Sequence, residues 1–369
     1  MKASNLNRRT FIQTVASAAL ATPSLLTAAQ SPARPRIALG LDTYTLRDFR
    51  WNVFQLLDYA AQLKLDTIQA TSANFESVDA AYLQKAKDHA ARVGVGLEFG
   101  YGCVGPLSKR WNPKQGDPRT YLLEGLRVTR ALGATLFKCY AGNAEDRRSA
   151  VPIPAQMEAT IKALKTVRSE LVDAGVKIAL ENHGDFLARE VRTIIEEAGK
   201  DFVGSNLDTG NPTMLGEDPL LALEVLAPYV ISTHVRDSVV YEDARGAAVQ
   251  WVALGDGSID FHQFVPRFAE LCPKAAFHPE IITGGAPKVL PYFEADYWQP
   301  FPNLPAADFA RFVKLAKAGH PFTGKMVMPA STPPSAGDKA ALKEQQRVDF
   351  ERSIEYCKKT LGLGVCWQA

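Results

Sequence analysis

Four short segments decide the fold: Ile178-Ala179-Leu180-Glu181, Val203-Gly204-Ser205-Asn206-Leu207-Asp208, Val230-Ile231-Ser232-Thr233-His234 and Ala276-Phe277-His278-Pro279-Glu280. Each is a run of strand-forming residues that ends on a side chain able to bind a metal ion. Their last residues are roughly 25 to 45 positions apart, which leaves room for a helix between consecutive strands. In a parallel barrel the four ends meet at the C-terminal mouth. The segments therefore predict a metal site whose ligands are Glu181, Asp208, His234 and Glu280.

The same alternation of strand and helix runs along the rest of the chain. Earlier strands are predicted at residues 36–44, 67–70, 96–100 and 134–140. Helices are predicted at residues 52–63, 79–93, 120–132, 154–174, 188–198, 219–226 and 261–271. Eight such units predict an α/β fold, a single (β/α)8 TIM barrel within residues 31–369. A long connection at 283–338, rich in Pro and aromatics, predicts an insertion after strand eight, either a lid over the mouth or an arm on a neighbouring subunit, before a final helix at 340–361.

The first thirty residues predict an export signal. Arg8 and Arg9 lie in a twin-arginine pattern at residues 7–13, a mildly apolar stretch follows at 14–26, and Thr27-Ala28-Ala29 offers small residues for cleavage. We therefore expect residues 1–30 to be a twin-arginine signal peptide and the mature protein to be periplasmic. The apolar stretch is too short to span a bilayer comfortably, so no stable membrane anchor is expected.

Composition excludes several classes of function. The chain has 46% hydrophobic and 22% charged residues with a net charge of +2, which is ordinary for a soluble globular protein. No basic stripe is present, so no nucleic-acid partner is expected. The five cysteines form no CxxC pair, which argues against a zinc knuckle and leaves disulfide pairing open. Homo-oligomerisation is also left open.

The residues around the four strand ends carry a resemblance to a known family. They are Glu181-Asn182-His183, Leu207-Asp208-Thr209-Gly210-Asn211-Pro212, His234-Val235-Arg236-Asp237 and Leu254-Gly255-Asp256-Gly257-Ser258-Ile259-Asp260-Phe261. They follow one another in the order used by xylose-isomerase-like barrels. Over about residues 36–285 the chain therefore resembles the sugar-phosphate isomerase/epimerase family. The resemblance implies a xylose-isomerase-like TIM barrel that acts on a small sugar.

The ligand set indicates which metal and which chemistry to expect. Three carboxylates and one imidazole form a hard, mostly oxygen site, so manganese is the expected divalent ion, with magnesium, cobalt(II) or zinc as alternatives. A metal that holds a carbonyl oxygen acidifies the adjacent C–H and stabilises the enediolate. The resemblance to ketose epimerases implies that Glu181 and Glu280 transfer the proton. His183 is a candidate base, or else a residue that orients a loop.

Four further residues are candidate substrate contacts: Arg236, Asn211, Lys138 and Trp111. Arg236 follows the metal histidine and could hold a substrate oxygen. Asn211 stands three residues after Asp208, where several epimerases carry a histidine, and this departs from the free-ketose epimerases. Lys138 lies near the end of strand four and Trp111 lies in a loop on the catalytic face. For these two, a solvent-facing lysine and an aromatic cover for the barrel are the competing explanations.

We therefore expect a divalent-metal-dependent isomerase or epimerase of a sugar or keto-sugar, working by proton transfer. One alternative is a metal-dependent lyase or deglycosylating enzyme that acts on 3-keto-glycosides through the same proton abstraction. Another is a non-catalytic, metal-containing sugar-binding protein. The related apurinic endonucleases hold three metals with additional histidines, whereas this chain has six histidines in all. DNA repair is therefore not expected.

Overall fold

A curled parallel sheet organises the protein, whose computed structural model describes residues 36–329 and 332–368. Seven strands within these residues follow one another in sheet order: β1 Gly40–Asp42, β2 Thr67–Thr71, β3 Gly96–Cys103, β4 Leu136–Tyr140, β5 Lys177–Glu181, β6 Val203–Asp208 and β7 Val230–His234. All neighbouring pairs are parallel. The predicted signal peptide, residues 1–30, lies outside the described residues.

Residues 276–280 lie between the two edges of this sheet. Phe277 bridges Leu39 beside β1, and Pro279 bridges Val235 beside β7. The backbone N–H of Gly40 donates to Phe277 at 2.8 Å, and that of Val235 donates to His278 at 2.8 Å. Pro279 has no N–H to give to the ladder with β1, so the segment forms isolated bridges instead of a regular eighth strand. The curled parallel barrel is confirmed, while the count of eight strands stays a prediction.

Helices fill most of the connections between strands. They are α1 Val53–Gln62, α2 Ala80–Val93, α3 Pro118–Leu132, α4 Ala144–Arg147, α5 Ile153–Lys165, α6 Arg168–Ala174, α7 Ala188–Ala198, α8 Gly210–Leu215, α9 Pro219–Leu226, α10 Phe261–Leu271, α11 Ala306–Ala318, α12 Ala336–Lys359 and α13 Val365–Gln368. Local sequence starts several of them: Asp79 and Asp117 each accept a hydrogen bond from a backbone N–H in the first turn. Gly94 and Gly133 end the same helices in the left-handed conformation.

Two elements differ from the sequence-based expectation. The helix predicted over 154–174 is broken into α5 and α6, because Val167 leaves helical geometry at φ −120° and ψ 11°. A hairpin that we did not predict follows β7: β8 Asp237–Asp243 pairs antiparallel with β9 Gly246–Val252. Its sequence signal was the turn at Gly246 between two runs rich in Val and Ala.

The hairpin carries a second, smaller sheet over the C-terminal end of the barrel. β10 Lys288–Leu290 pairs antiparallel with β9. The connection predicted at 283–338 thus contains β10 and α11 among its described residues, and its role as an insertion stays a prediction. A separate apolar cluster forms here from Leu290, Tyr297, Phe301 and Phe312.

The main core lies between the curled sheet and the helices around it. Strand residues such as Phe99 and Phe137 and helix residues such as Leu122 and Ile194 belong to one buried cluster. The helix α12 adds Phe350 to it, which ties the C-terminal part of the chain to the barrel. None of the described helices combines the length and apolarity that a membrane span requires.

Candidate metal centre

The four predicted ligands meet at the C-terminal end of the barrel. Glu181 ends β5, Asp208 ends β6, His234 ends β7, and Glu280 follows Pro279 in the closing segment. One donor atom from each lies within 4.8 Å of those of the others, and all four side chains are buried. The register places Asp208 directly opposite His234 across the last two strands. The strand ends therefore form one cluster.

Gln69 on β2 sets the orientation of the His234 ring. Its amide oxygen Oε1 lies 2.7 Å from His234 Nε2. Its amide nitrogen faces three oxygen atoms, Ser232 Oγ at 3.0 Å, Asn206 Oδ1 at 3.2 Å and Glu98 Oε2 at 3.2 Å. Because those oxygens can accept the amide hydrogens, Oε1 is left to accept the Nε2–H of the ring. The tautomer of His234 is therefore the one whose lone pair is on Nδ1.

His234 Nδ1 faces two carboxylates. Glu181 Oε1 lies 3.2 Å away and Glu280 Oε2 lies 3.5 Å away. A nitrogen lone pair beside two negative oxygens requires a cation between them, either a proton or a metal ion. Burial lowers the pKa of His234, but the charges of Asp42, Glu181 and Glu280 outweigh burial and raise it well above its ordinary value. The surrounding carboxylates therefore stabilise a positive charge at His234, which is one of the four predicted metal ligands.

Sequence reasoning missed both Gln69 and Asp42, which complete the surroundings of this ring. Asp42 ends β1, and its Oδ2 lies 3.2 Å from His234 Nε2. Burial raises the pKa of Asp42, but the charge of His234 outweighs it, so that the pKa is lowered. Both residues are fully buried polar side chains in barrel strands. For Asp42 the available signal was the same as for the four ligands, an acidic residue at the end of an apolar strand, whereas Gln69 lies in the middle of a strand between Thr67 and Thr71 and carried no such signal.

Arg236 joins two of the ligands. Its Nη2 donates to Asp208 Oδ2, and its Nε lies 3.0 Å from Glu280 Oε2. The ring of Trp251 packs 4.3 Å from the guanidinium carbon. Gly210 permits this approach, since a Cβ at that position would lie 2.8 Å from Arg236 Cβ. The predicted substrate contact is thus held against the ligands at the wall of the site.

Lys138 is a charge partner of Glu181. Its Nζ lies 2.7 Å from Glu181 Oε2, and both side chains are almost fully buried. Burial lowers the pKa of Lys138, but Glu181 and Asp42 outweigh it and raise the pKa. Burial raises the pKa of Glu181, but Lys138 and His234 outweigh it and hold the pKa well below its ordinary value. Both groups are therefore charged at neutral pH.

The net charge of the cluster and its buried oxygens without hydrogen bonds fit a divalent ion. Its carboxylates are Asp42, Glu181, Asp208 and Glu280, and its fixed cations are Lys138 and Arg236. With a neutral His234, two negative charges remain, which one divalent ion would balance. Two buried oxygens, Oε2 of Glu181 and Oε2 of Glu280, accept no well-directed hydrogen bond, although each lies near one of the cations. Oxygen and imidazole donors of this kind suit manganese, magnesium or cobalt(II).

His183 lies beside the cluster with one ring nitrogen engaged. Nδ1 donates to the carbonyl oxygen of Gly142 at 2.8 Å. The ring stacks on Tyr140 with centroids 4.3 Å apart and planes 29° apart. Nε2 has no hydrogen-bond partner among the described residues, and the residue lines the cavity above the cluster. The candidate base is therefore oriented by its neighbours.

Asn211 and Trp111 have different outcomes. Asn211 is buried at the cavity wall, its backbone N–H donates to Asp208 Oδ1 at 2.6 Å, and its Nδ2 has no hydrogen-bond partner among the described residues. Its amide is therefore a donor without an acceptor among the described residues.

Trp111 packs edge-on against Tyr121 at 5.8 Å and does not line the cavity. The explanation that Trp111 covers the barrel is the one its position favours, because the 103–117 loop turns it towards α3.

A cavity of about 990 Å³ lies over the cluster. His234, Arg236 and Glu280 form part of its floor, and residues 282–286 and 288 form part of its wall. A volume near the top of the usual range for small-molecule sites leaves room for a substrate larger than a simple monosaccharide.

Residues 57–283 of the chain match a family model described as xylose isomerase-like TIM barrel. The chain belongs to this family.

Among curated relatives, the chain is 25% identical over 211 residues to the 3-oxo-isoapionate decarboxylase of Pectobacterium atrosepticum. The matched region covers 57% of this chain and 65% of that protein. The chain is 22% identical over 134 residues to the uncharacterized protein YihM of Escherichia coli, covering 36% of this chain and 39% of that one. Less than two thirds of either relative's length is therefore matched.

Solved structures show the same fold for this member of the family. The D-psicose 3-epimerase of Clostridium cellulolyticum superposes with a TM-score of 0.54 at 16% identity, covering 76% of this chain and 96% of the epimerase. An L-ribulose 3-epimerase superposes with a TM-score of 0.53 at 17% identity, covering 88% of this chain and 97% of that one. A barrel protein from Mycobacterium smegmatis in complex with magnesium has a TM-score of 0.54 at 15% identity, with 76% and 96% covered. At these identities the likeness concerns the fold.

Proposed function

We propose that the protein is a divalent-metal-dependent isomerase or epimerase that acts on a sugar or keto-sugar by proton transfer. The observation that carries the proposal is the buried cluster of Glu181, Asp208, His234 and Glu280, whose donor atoms lie within 4.8 Å of one another beneath a large cavity. Membership of a family with epimerase-like structural neighbours supports the same class of reaction. Manganese is the proposed ion.

The protein side chains around the ion have distinct tasks. When bound, a divalent ion supplies Lewis-acid polarisation of a substrate carbonyl. Glu181 and Glu280 are the proposed acid and base, since each has a buried oxygen without a well-directed hydrogen bond. Lys138 and Arg236 hold these two carboxylates in place through the contacts described above. The proton therefore moves between groups whose positions are set before substrate binds.

His183 and Asn211 act on the substrate side of the cavity in this proposal. His183 offers Nε2 as a second proton acceptor, because Gly142 occupies Nδ1. Asn211 offers its unpartnered Nδ2–H to a substrate oxygen. It takes the position of a histidine in several epimerases, so that a neutral hydrogen-bond donor stands where a titrating group would be.

A second candidate is a lyase reaction in which proton abstraction next to a ketone is followed by loss of a neighbouring group, as in a deglycosylating enzyme for 3-keto-glycosides. Two observations favour it. The cavity of about 990 Å³ has room for a glycoside. The matched relative from Pectobacterium atrosepticum is named a decarboxylase, which also breaks a bond next to a ketone. A non-catalytic sugar-binding protein is the third alternative.

The experiment follows solvent deuterium in the manganese-loaded protein. We expect deuterium at the carbon next to the carbonyl when ketohexoses and 3-keto-glycosides are incubated in deuterated water, with products identified by NMR. Glu181→Gln and Glu280→Gln should lower turnover by about two to four orders of magnitude, the usual contribution of a general base. Release of an aglycone would identify the lyase. Conversion of a substrate without any deuterium, together with active glutamine variants, would refute proton transfer.

We further propose that the protein is exported to the periplasm by the twin-arginine route. The proposal rests on Arg8, Arg9 and the apolar stretch at 14–26. Export would separate the enzyme from phosphorylated cytoplasmic sugars, which agrees with a free, oxidised or glycosidic substrate.

A further inference from the structure

Three cations on the wall of the cavity are not needed to balance the ligand cluster. Arg47, Arg110 and Lys288 line the same cavity as the cluster. Within the described part of the chain, none of them has an ion pair with a carboxylate, whereas Lys138 has one and Arg236 has two. Arg47 donates to the carbonyl of Tyr44 and packs 5.1 Å from its ring. Arg110 and Lys288 have no carboxylate partner among the described residues.

Arg110 lies beside the part of the wall that contains the candidate base. The neighbouring hydroxyl of Tyr140 raises the pKa of the Arg110 guanidinium. The ring of Tyr140 stacks on His183 at 4.3 Å, and Lys138 Nζ lies 5.4 Å from the same ring. The side chain of Tyr140 therefore lies between Arg110 on one side and His183 and Lys138 on the other. A guanidinium has several N–H donors, and no carboxylate among the described residues pairs with those of Arg110, so they are available to a ligand.

Lys288 stands in the second sheet on β10. Its ammonium group is in unfavourable surroundings, because burial of the group and the charge of Arg148 both lower its pKa. Its accessible side chain nevertheless lines the cavity. A cation placed near another cation without a counter-ion is stabilised when an anion binds.

The acidic residues on the cavity wall do not cancel these charges. Asp48 exchanges two hydrogen bonds with Gln346, at 3.2 Å and 2.7 Å. Glu145 is exposed in the first turn of α4, where the helix dipole favours a negative charge. Neither makes an ion pair with Arg110 or Lys288 among the described residues. The wall of the cavity therefore carries two cations, Arg110 and Lys288, without carboxylate partners among the described residues. The ligand cluster beneath them carries negative charge that a divalent ion would balance.

We propose that the substrate is a sugar acid, whose carboxylate binds Arg110 at the mouth while its hydroxyl and carbonyl oxygens face the ligand cluster. Lys288 contributes a second positive charge to the same cavity. This inference rests on the proposed function, because it assumes that the cavity receives a sugar. A bidentate guanidinium–carboxylate contact would select such a substrate against the neutral sugar of the same length.

Binding of two matched probes tests the charge preference without catalysis. D-Gluconate and D-gluconamide have the same carbon chain and differ in the charge of one end group. We expect the manganese-loaded protein to bind gluconate about tenfold more tightly in isothermal titration calorimetry, the size of a single charge-assisted hydrogen-bonded contact. Arg110→Gln should remove most of that preference and leave gluconamide binding within about twofold. The unchanged amide affinity also checks that the variant is folded.

Control variants separate a specific contact from general charge. Arg267→Gln removes a surface arginine that pairs with Glu270 away from the cavity, and should retain the full preference. Lys288→Gln should reduce the preference by a smaller factor than Arg110→Gln. Equal affinity of the wild-type protein for both probes would overturn the proposal. A preference that survives Arg110→Gln in full would overturn it too, because the carboxylate would then be bound by some other group.

The outcomes also distinguish this proposal from the proposed function. A charge preference that depends on Arg110, combined with no deuterium exchange in any sugar acid, would reject the isomerase and keep a sugar-acid site. Deuterium exchange in neutral ketoses, combined with no charge preference, would reject the sugar acid and keep the isomerase.

Discussion

The contact between Gln69 and His234 makes a sharp prediction about metal affinity. Replacing Gln69 by Leu removes the acceptor that lies 2.7 Å from His234 Nε2. Asp42 Oδ2, 3.2 Å from Nε2, is then the remaining acceptor, so the ring is held less firmly and can turn or protonate at the nitrogen that faces Glu181 and Glu280. Loss of such a supporting contact typically weakens metal binding by about 10- to 100-fold, or roughly 1.4 to 2.8 kcal/mol. We expect an effect of that size in Gln69→Leu.

Competition with a chelator, read by the electron paramagnetic resonance signal of free manganese, measures the affinity. Gln69→Glu is the informative partner variant, because its carboxylate can still accept the Nε2–H while it can no longer donate to Ser232 and Asn206. It should keep manganese affinity within about threefold of the wild type while unfolding more easily, since the new charge lies beside Glu98.

Gln156→Leu is the matched control for a buried glutamine. Gln156 is buried and donates only to the carbonyls of Asp146 and Val151, outside the ligand cluster. This variant should lose stability but keep its affinity for manganese. Unchanged manganese affinity in folded Gln69→Leu, or an equal loss in Gln156→Leu, would refute the role assigned to Gln69.

Three further predictions concern other parts of the molecule. Gly40→Ala should lower the unfolding free energy by about 1 to 3 kcal/mol in urea titration, because its Cβ would clash with the His278 ring. The double variant with His278→Ala should recover part of that loss, and purely additive losses in the double variant would contradict the clash. Burial raises the pKa of Glu217 from 4.5 to about 8, so its stabilising contribution is complete below pH 4.5 and is lost as pH rises from there through about 8, by roughly 5 kcal/mol in all. Glu217→Gln should therefore flatten the stability profile over that window, and parallel profiles for the two proteins would speak against this titration. Replacing Arg8 and Arg9 by Lys should retain the precursor in the cytoplasm in a cell-fractionation assay, whereas normal export of this variant would contradict the twin-arginine signal.

Local patterns predicted much of the barrel because its units are short and self-contained. The helices α7, α9 and α10 have the predicted bounds, and β5, β6 and β7 end at the predicted residues. Capping residues and strand-forming runs act over a few positions, so they can be recognised along the chain. The hairpin of β8 and β9 was not predicted, because its two strands lie between barrel units and pair with each other outside the barrel sheet. Pro279 made the closing segment irregular, which an apolar run alone does not reveal.

The sequence by itself determined the order of the barrel units and the donor chemistry at four strand ends, since both follow from residue type and spacing. Only the tertiary structure decided what surrounds those donors. Gln69 and His234 are 165 positions apart and meet because the barrel closes on itself. Pairing of β4 with β5 brings Lys138 to Glu181 in the same way, although the two residues are far apart in the chain. Such contacts depend on where distant strands and loops are brought in space, and no local pattern encodes that distance.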